Sequence, residues 1–457
     1  MDNNIKTKKS GMRDLTAGSV PKNIIAFAAP LFFGQLLQTL YNMVDAWVIG
    51  NYTDTDTFAA ISSTFTIVFL ILGFFGGISQ GGSILISRYF GAKDYDNVSK
   101  AIHTNFLMAI IASVISTIGG LILTPHIVAW IDIPETVAPH STAYLTIYFA
   151  GVSTVIIYNT GMAIMRALGD SLHPLYYLIF SSILNVGLDL LFVAHPAFRW
   201  GISGAAIATV ISQGVSAVLC LIRLLRTPGF AGLRFRELHF YPRLMATVLR
   251  LGIPAGIQNS VLTIGNLVVQ KNINAFGKYA MSGYGAYSRI ESIVFLPITS
   301  MAMSVTTFVS QNLGSAEYGR AKQGARFSIF VGMISAELIG VIMYFFSPQL
   351  ISIFTQDPLS IEFGVTHARI TCWFLFLLAL AHCSAGVMRG CGKSLVPMVN
   401  MLAFWCVVRI IYVTVATRIV PEYATIAWAY PLTWGLSDIV FVFFLLRTDW
   451  VHAFEKK

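Results

Sequence analysis

Long apolar stretches separated by short polar segments run along the chain from about residue 24 to residue 446. A helix needs about 20 mostly apolar residues to cross the hydrocarbon core of a bilayer, and by that rule the sequence predicts twelve spans. The first six lie near 24–50, 58–87, 103–124, 143–165, 174–194 and 203–225. The second six lie near 246–270, 283–311, 327–347, 365–388, 396–417 and 424–446. The predicted fold class is therefore an all-α polytopic membrane protein with twelve transmembrane helices.

The second group of six spans repeats the first group. Residues 165–174 (MRALGDSLHP) recur as residues 388–397 (MRGCGKSLVP), at an offset of 223 positions. Further pairs follow at an offset of 223 or 224, namely residues 91–95 with 314–318, Pro30 with Pro254, and Asn42 with Asn266. Landmarks that recur in one order at one spacing indicate an internal duplication.

The duplication predicts two pseudo-symmetric six-helix lobes. Because each half has an even number of spans, both insert with the same orientation, and transporters built in this way bind substrate near the midplane between their halves. We assign the N-lobe to residues 1–226, a cytoplasmic inter-lobe loop to 227–243 and the C-lobe to 244–457. Duplicated halves also build channels and scaffolds, but a twelve-span chain favours a transporter.

Composition and charge agree with this class. Charged residues make up only 11% of the chain, against about 25% in soluble domains, which excludes a soluble enzyme and a disordered protein. Of the 30 Lys and Arg, 23 fall on the side that contains the N-terminus and four on the other side. Basic residues mark the cytoplasmic side, so both termini are predicted in the cytoplasm of a bacterial cell. The net charge of +9 then serves topology and contact with membrane lipids, and no nucleic-acid partner is expected.

Two carboxylates stand inside the predicted spans of the first half, Asp45 in span 1 and Asp189 in span 5. An ionisable residue there costs about 2.5–3.5 kcal/mol on insertion scales and is a functional candidate by default. Polar stripes at helical spacing are formed by Gly34, Gln38, Tyr41 and Asp45, by Ser181, Asn185 and Asp189, and by Thr209 and Gln213. Oxygen-rich side chains that face one another in a dry bundle can bind a hard cation or share a proton. Alternatively, Asp45 reaches water at its span end and Asp189 makes a structural hydrogen bond.

The second half does not repeat this chemistry, because Asp45 aligns with Val269 or Gln270 and Asp189 aligns with Tyr412. Ions are therefore predicted to bind in the N-lobe alone. Uncharged polar residues of span 7, including Asn259 and Asn266, are candidates for substrate contact or structure, as is Gln38. Arg409, flanked by apolar residues, needs a partner, and Glu291 is the natural opposite charge; we interpret them as a structural ion pair, with substrate contact as the alternative.

The combined landmarks resemble the multidrug and toxic compound extrusion (MATE) transporters. The resemblance covers essentially the whole chain and depends on Pro30 followed by Tyr41-x-x-x-Asp45, the Gly91 loop, the 165–174 loop, Asn185-x-x-x-Asp189 and residues 251–254 (LGIP). It implies two six-helix lobes around a V-shaped cavity and efflux driven by cations through alternating access. Carried over by motif, it implies that Asp45, Asn185, Asp189 and Thr209 hold the coupling ion (as metal ligands if that ion is Na⁺), with Tyr41 adjacent and Pro30 bending span 1.

The sequence departs from one branch of this family, which has a cation-binding Glu in span 7. Here the nearby positions are Gln258, Asn259 and Leu262, so a cation site in the C-lobe is not expected. The resemblance therefore favours the branch with an N-lobe site, and it leaves open whether Na⁺ or H⁺ is the coupling ion.

The predicted function is a secondary antiporter that exports amphipathic, mostly cationic organic compounds and drugs in exchange for Na⁺ or H⁺. It is expected to work as a monomer in the bacterial cytoplasmic membrane, without a cofactor and without catalytic residues. The alternative is a lipid-linked oligosaccharide flippase of the same superfamily, for which Arg289 and Arg409 are the only comparable central cations. An intramembrane enzyme would need a catalytic set that the sequence does not suggest.

Overall fold

The computed structural model describes residues 12–53, 55–130, 133–195, 197–198 and 200–453. All regular secondary structure in these ranges is helical, which confirms the predicted all-α class. The two ends of the chain that were predicted in the cytoplasm, residues 1–11 and 454–457, lie outside the described residues.

Six long helices form the first half of the chain, and each contains one predicted span. They are α1 (Val20–Tyr52), α2 (Thr55–Gly91), α3 (Tyr95–Trp130), α4 (Ala138–Ala167), α5 (Leu172–Asp189, continued by the π-helical turn Leu190–Ala194) and α6 (Gly201–Arg226). Two short 3₁₀ helices, Gly229–Ala231 and Phe235–Glu237, lie in the inter-lobe loop.

The second half has the same order of helices. They are α7 (Pro242–Asn274), α8 (Lys278–Gly314), α9 (Tyr318–Ser352), α10 (Pro358–Gly390, with a 3₁₀ turn at Cys372–Phe374), α11 (Leu395–Ile419, with a π-helical segment at Leu402–Val408) and α12 (Tyr423–Arg447). Eleven of the twelve helices in the described chain are long and apolar enough to cross a membrane. The remaining one, α7, is 33 residues long but carries many polar side chains.

The described residues form two compact units that exchange parts of their first helices. Within the described ranges, the first unit is residues 12–14 with Phe33–Gly256, and the second is Leu15–Phe32 with residues 257–453. The N-terminal part of α1 thus belongs to the second unit, and the N-terminal part of α7 belongs to the first. Both transitions fall two residues after a proline within the helix, Pro30 and Pro254, at the repeat offset of 224.

In the first unit, α7 packs against α2 through glycines. A Cβ atom added to Gly77 would lie 2.2 Å from the backbone nitrogen of Gly256, and one added to Gly81 would lie 2.5 Å from the carbonyl oxygen of Val248. Small residues let membrane helices approach closely and gain van der Waals contact, which replaces the hydrophobic driving force available in water. These glycines therefore set the position of the exchanged segment in the first unit.

The second unit repeats this contact with different chemistry. Ser304 of α8, the repeat partner of Gly81, donates its hydroxyl to the carbonyl oxygen of Ile24 in α1 at 3.1 Å. Ile24 is in turn the repeat partner of Val248, so equivalent positions meet in both units. The duplication seen in the sequence therefore extends to the way in which the exchanged segments pack.

The inter-lobe loop is fixed to the first unit by a histidine. The backbone N–H of Arg234 donates to Nε2 of the buried His103 at 2.9 Å. Because Nε2 is the acceptor, Nδ1 carries the proton of the neutral ring and donates to the carbonyl oxygen of Ser99 at 2.7 Å. Phe230 adds a stacked contact with Tyr95, with 4.1 Å between ring centroids. The loop is thus an ordered part of the first unit.

The repeated 165–174 loop is held by an acidic residue that its counterpart lacks. Asp170 accepts hydrogen bonds from the backbone N–H of His173 at 3.2 Å and from Nδ1 of its ring at 2.6 Å. Burial raises the pKa of the Asp170 carboxyl, and the adjacent His173 opposes that shift. Asp170 therefore caps the start of α5, whereas Lys393 occupies the corresponding position in the second half.

Candidate cation-binding site

Asp45 of α1 and Asp189 at the end of α5 come together in the first unit. Their carboxyl groups lie within hydrogen-bonding reach of each other, although not in the geometry of a formed hydrogen bond. Asp189 is 0% exposed, and neither of its oxygens has a hydrogen-bond partner among the described residues. Two neighbouring carboxylates cannot both ionise cheaply, so this pair favours binding of a proton or a cation.

Tyrosine and glutamine side chains cover one side of the carboxyl pair. Tyr41, one turn before Asp45 on α1, contacts the side chains of Gln38 and Gln213 and lies in the electrostatic field of both carboxyl groups. Tyr144 of α4 lies close enough to interact electrostatically with Tyr41 and with both carboxyl groups. The polar stripes predicted on α1, α5 and α6 therefore do meet at one place.

An apolar cluster lies on the other side of the pair, formed by Val48, Ile49, Val193 and Ala205. Val48 and Val193 follow Asp45 and Asp189 by about one helical turn, and Ala205 precedes Thr209 by one turn. The cluster thus fixes the three helices against one another just beyond the carboxyl groups. Thr209 falls between this cluster and Gln213.

The two other predicted ligands supply neutral oxygens from the same helices. Asn185 is one turn before Asp189, is 2% exposed, and has no hydrogen-bond partner for either amide atom in the described part of the chain. Thr209 donates its hydroxyl to the carbonyl oxygen of Ala205 at 3.0 Å, which leaves its lone pairs available. Buried polar groups are normally paired, so the unpaired Asn185 side chain indicates a place for a ligand.

A wide helical turn follows directly after Asp189. The π-helical turn Leu190–Ala194 is of a kind that occurs often at functional sites. It is stabilised by Trp200, whose backbone N–H donates to the carbonyl oxygen of Phe192 at 2.8 Å and whose ring stacks on Phe192 at 4.8 Å. Asp189 therefore ends the regular part of α5 at a defined position.

The direct ion pair predicted between Arg409 and Glu291 in the second unit is not formed, because no nitrogen–oxygen distance within 4.0 Å joins them. The two charges still attract each other over a longer distance. Arg409 instead donates to the hydroxyl of Thr433 from Nε at 3.1 Å and from Nη2 at 2.8 Å, and it lies 4.5 Å from the ring centroid of Tyr430. Glu291 accepts a hydrogen bond from the hydroxyl of Tyr287 at 2.9 Å. The hydrogen bonds of the two side chains are therefore made to nearer hydroxyl groups, of Thr433 on α12 for Arg409 and of Tyr287 on α8 for Glu291.

We expect Arg409→Lys to lower the stability of the protein by about 1.5–3 kcal/mol. A lysine cannot reproduce the two guanidinium bonds to Thr433, and hydrogen bonds to charged groups contribute about this much. It would also lose the planar contact with Tyr430. Thermal unfolding of the detergent-solubilised protein measures the effect. Arg418→Lys, at the exposed end of the same helix, is the control, and equal unfolding temperatures for the two variants would contradict the proposed role of Arg409.

Other span residues are placed as follows. Asn259 and Asn266 are on the exposed side of α7, whereas Gln258 is buried and donates to the sulfur of Met401. The sequence analysis missed Tyr144. It lies on a different helix from Asp45 and Asp189, so its position in the sequence does not indicate that it lies near them. Also missed was Asp438 of α12, which is 3% exposed and has no partner for either carboxyl oxygen among the described residues. The rule that singled out Asp45, an acid within an apolar span, would have found Asp438.

Comparison with known families gives a match in each half of the chain. A model of the MatE family matches residues 30–191 and again residues 254–415. The two matches are separated by 224 residues, the offset at which Pro30 pairs with Pro254. The duplication predicted from the sequence is therefore a property of this family model as well.

Two similar proteins are named for multidrug resistance. The probable multidrug resistance protein YoeA of Bacillus subtilis (strain 168) is 30% identical over 395 residues, which cover 85% of this chain and 85% of its own. The probable multidrug resistance protein YpnP of the same organism is 29% identical over 399 residues, which cover 86% of this chain and 87% of its own. Among solved structures, an outward-facing multidrug resistance transporter of the MATE family has a TM-score of 0.88 at 21% identity, over 97% of this chain and 98% of that chain; this likeness shows the fold.

Proposed function

Because the chain belongs to the MatE family of multidrug and toxic compound extrusion transporters, we propose that it is an antiporter that exports amphipathic, mostly cationic organic compounds. In this proposal the inward movement of Na⁺ or H⁺ drives export by alternating access. The family assignment makes the chain a multi-pass membrane transporter and not an enzyme, and it does not define the ion or the drug.

The observation that carries the proposal is the close approach of the Asp45 and Asp189 carboxyl groups, of which Asp189 is fully buried and Asp45 partly buried. Two negative charges there repel each other, and each is costly to bury alone. An entering proton or Na⁺ removes one net negative charge and lowers that cost. Occupied and empty states of the site therefore differ in free energy, and a ligand that binds one conformation better shifts the population toward it.

Helix α1 offers a route by which occupancy of the site affects the second unit. Asp45 lies 15 residues after Pro30 on this helix, or about 22 Å at 1.5 Å per residue. The part of α1 before residue 33 belongs to the second unit. A proline inside a helix removes one backbone hydrogen bond and permits a kink, so a change at Asp45 that alters the bend at Pro30 would reach both units.

The neutral candidate ligands Asn185 and Thr209 are relevant to whether the ion is Na⁺ or H⁺. A proton needs only one of the two carboxyl oxygens, whereas Na⁺ is a hard cation that takes several oxygen ligands at once. Asn185 and Thr209 would complete such a set with the two carboxylates. The unpaired amide of Asn185 supports Na⁺, and the direct approach of the two carboxyl groups supports a shared proton, so both ions stay in the proposal.

We expect an imposed gradient of at least one of the two ions to accelerate efflux of ethidium or norfloxacin from proteoliposomes. A Na⁺ gradient at equal pH and a pH gradient without Na⁺ are imposed separately, and vesicles without protein measure the leak. Drug movement that is equally fast with either gradient and with neither would contradict antiport. Acceleration by one gradient alone would identify the coupling ion.

A further inference from the structure

A groove on the surface of the second unit has apolar walls and a basic mouth. Its volume is about 720 Å³, within the range of about 300–1,000 Å³ typical of ligand sites. The walls come from α9, α10 and α12 and include Ile329, Phe330, Met333, Leu380, Val442 and Leu445. We refer to this surface as the α9–α12 groove.

Two cations stand at the mouth of the groove. Lys322 and Arg326 are one turn apart near the start of α9 and lie on one face of it, and both are exposed. Neither has a hydrogen-bond or ion-pair partner among the described residues. Asp449, the one acid among the lining residues, accepts a hydrogen bond from His452 at 2.7 Å. Two unpaired cations beside an apolar surface form a site for an amphipathic anion.

Beyond Val442 the groove continues along apolar side chains of α12. A second, open cavity of about 410 Å³ shares Val442 with the groove and is lined mainly by Leu377, Ile439 and Phe443. Asp438 lies beneath it, and its carboxyl oxygens are buried. Asp438 precedes Arg447, the end of α12, by nine residues, or about 14 Å. An acyl chain fits these walls, which include no cationic residue for an anionic headgroup. The charges therefore orient an amphipathic anion with its head at Lys322 and Arg326.

We propose that the α9–α12 groove binds an anionic phospholipid from the leaflet that faces the basic loops. The phosphate lies between Lys322 and Arg326, and one acyl chain follows Val442 toward the second cavity. Trp450 lines the mouth, where indole rings prefer the headgroup level of a membrane. Basic pockets between membrane helices on the positively charged side are sites where anionic headgroups bind. The inference does not depend on the ion or the drug that the protein transports.

The test is a titration of the full-length protein in neutral detergent with phosphatidylglycerol, read out as bound lipid by native mass spectrometry. Lys322→Gln/Arg326→Gln is expected to weaken binding about thirtyfold, because each basic residue contributes to attraction of the anionic headgroup. Arg243→Gln/Arg250→Gln removes two exposed basic residues of α7 outside the groove and is expected to bind as the wild type does. All four substituted side chains are exposed, so circular dichroism is expected to show that both double variants fold.

A second measurement locates the lipid on the wild-type protein. Phosphatidylglycerol with brominated acyl chains is expected to quench tryptophan fluorescence, and Trp450→Phe is expected to remove part of that quenching. Phosphatidylcholine and inorganic phosphate are expected to bind far more weakly. The proposal would be overturned if the two double variants bound the lipid with equal affinity, or if phosphatidylcholine bound as well as phosphatidylglycerol. It would also be overturned if inorganic phosphate alone competed for the site, or if Trp450→Phe left the quenching unchanged.

Discussion

Replacement of Asp189 by Asn is expected to reduce ion-driven drug efflux to the level of the passive leak, while the protein still folds and inserts. The substitution keeps the shape of the side chain and removes its negative charge. The carboxyl oxygens of Asp189 have no hydrogen-bond partner in the described chain, so no structural bond is lost. Removal of an unpaired buried charge also removes the cost of its desolvation. Asp45→Asn should have the same effect on efflux, since the two carboxyl groups act as a pair.

Asp438→Asn is the matched control for both variants. Asp438 is another buried acid inside a span, without a partner among the described residues, but it lies in the second unit. It is expected to keep gradient-driven efflux, because the proposed ion site is in the first unit alone. Efflux is measured in proteoliposomes with equal amounts of inserted protein. Wild-type rates in both Asp45→Asn and Asp189→Asn would show that the coupling site is elsewhere.

Gly77→Ala is expected to destabilise the protein by about 1–3 kcal/mol or more, the usual cost of overpacking a tight contact. The new methyl group would lie 2.2 Å from the backbone nitrogen and 2.4 Å from the Cα atom of Gly256. Backbone atoms of a helix cannot turn away as a flexible side chain can, so α2 and α7 would have to separate. The intrinsic preference of Ala for a helix, about 1 kcal/mol over Gly, offsets only part of this cost.

Gly76→Ala provides the comparison, because nothing lies within 4 Å of a Cβ atom at the adjacent position. It is expected to be neutral or slightly stabilising, since only the helix preference changes. Thermal unfolding in detergent, followed by size-exclusion chromatography, measures both variants. If Gly77→Ala unfolds at the same temperature as Gly76→Ala, the close approach of α2 and α7 does not contribute to stability.

Much of the candidate site could be inferred from the sequence because its signals are local. Asp45 and Asp189 are conspicuous since a charged group is rare in an apolar span, and Tyr41 and Asn185 lie one turn from them on the same helix face. The role of Tyr144 could not be inferred in this way. Its contact with α1 depends on how α4 packs, and no spacing within one helix encodes a contact between helices.

The prediction for Arg409 and Glu291 was limited in the same way, because sequence does not give distances between helices. Opposite charges in neighbouring apolar spans are reasonable partners, but the nearest group decides, and Thr433 of α12 is nearer to Arg409 than Glu291 is. Hydrogen bonds require their partners within about 3 Å. A rule that pairs charges by sign has no access to such distances.

The sequence by itself determined the helical class, the length and number of the apolar segments, their duplication and the bias of positive charge. Each of these follows from properties of consecutive residues, since a bilayer selects stretches of apolar side chains and a helix satisfies its own backbone. Only the tertiary structure decided that α1 and α7 contribute their first parts to the opposite units, that glycines in one unit and a serine in the other hold those parts, and that the two acids of the first unit meet. These features depend on contacts between residues far apart in the chain, where distances of a few tenths of an ångström determine which groups touch.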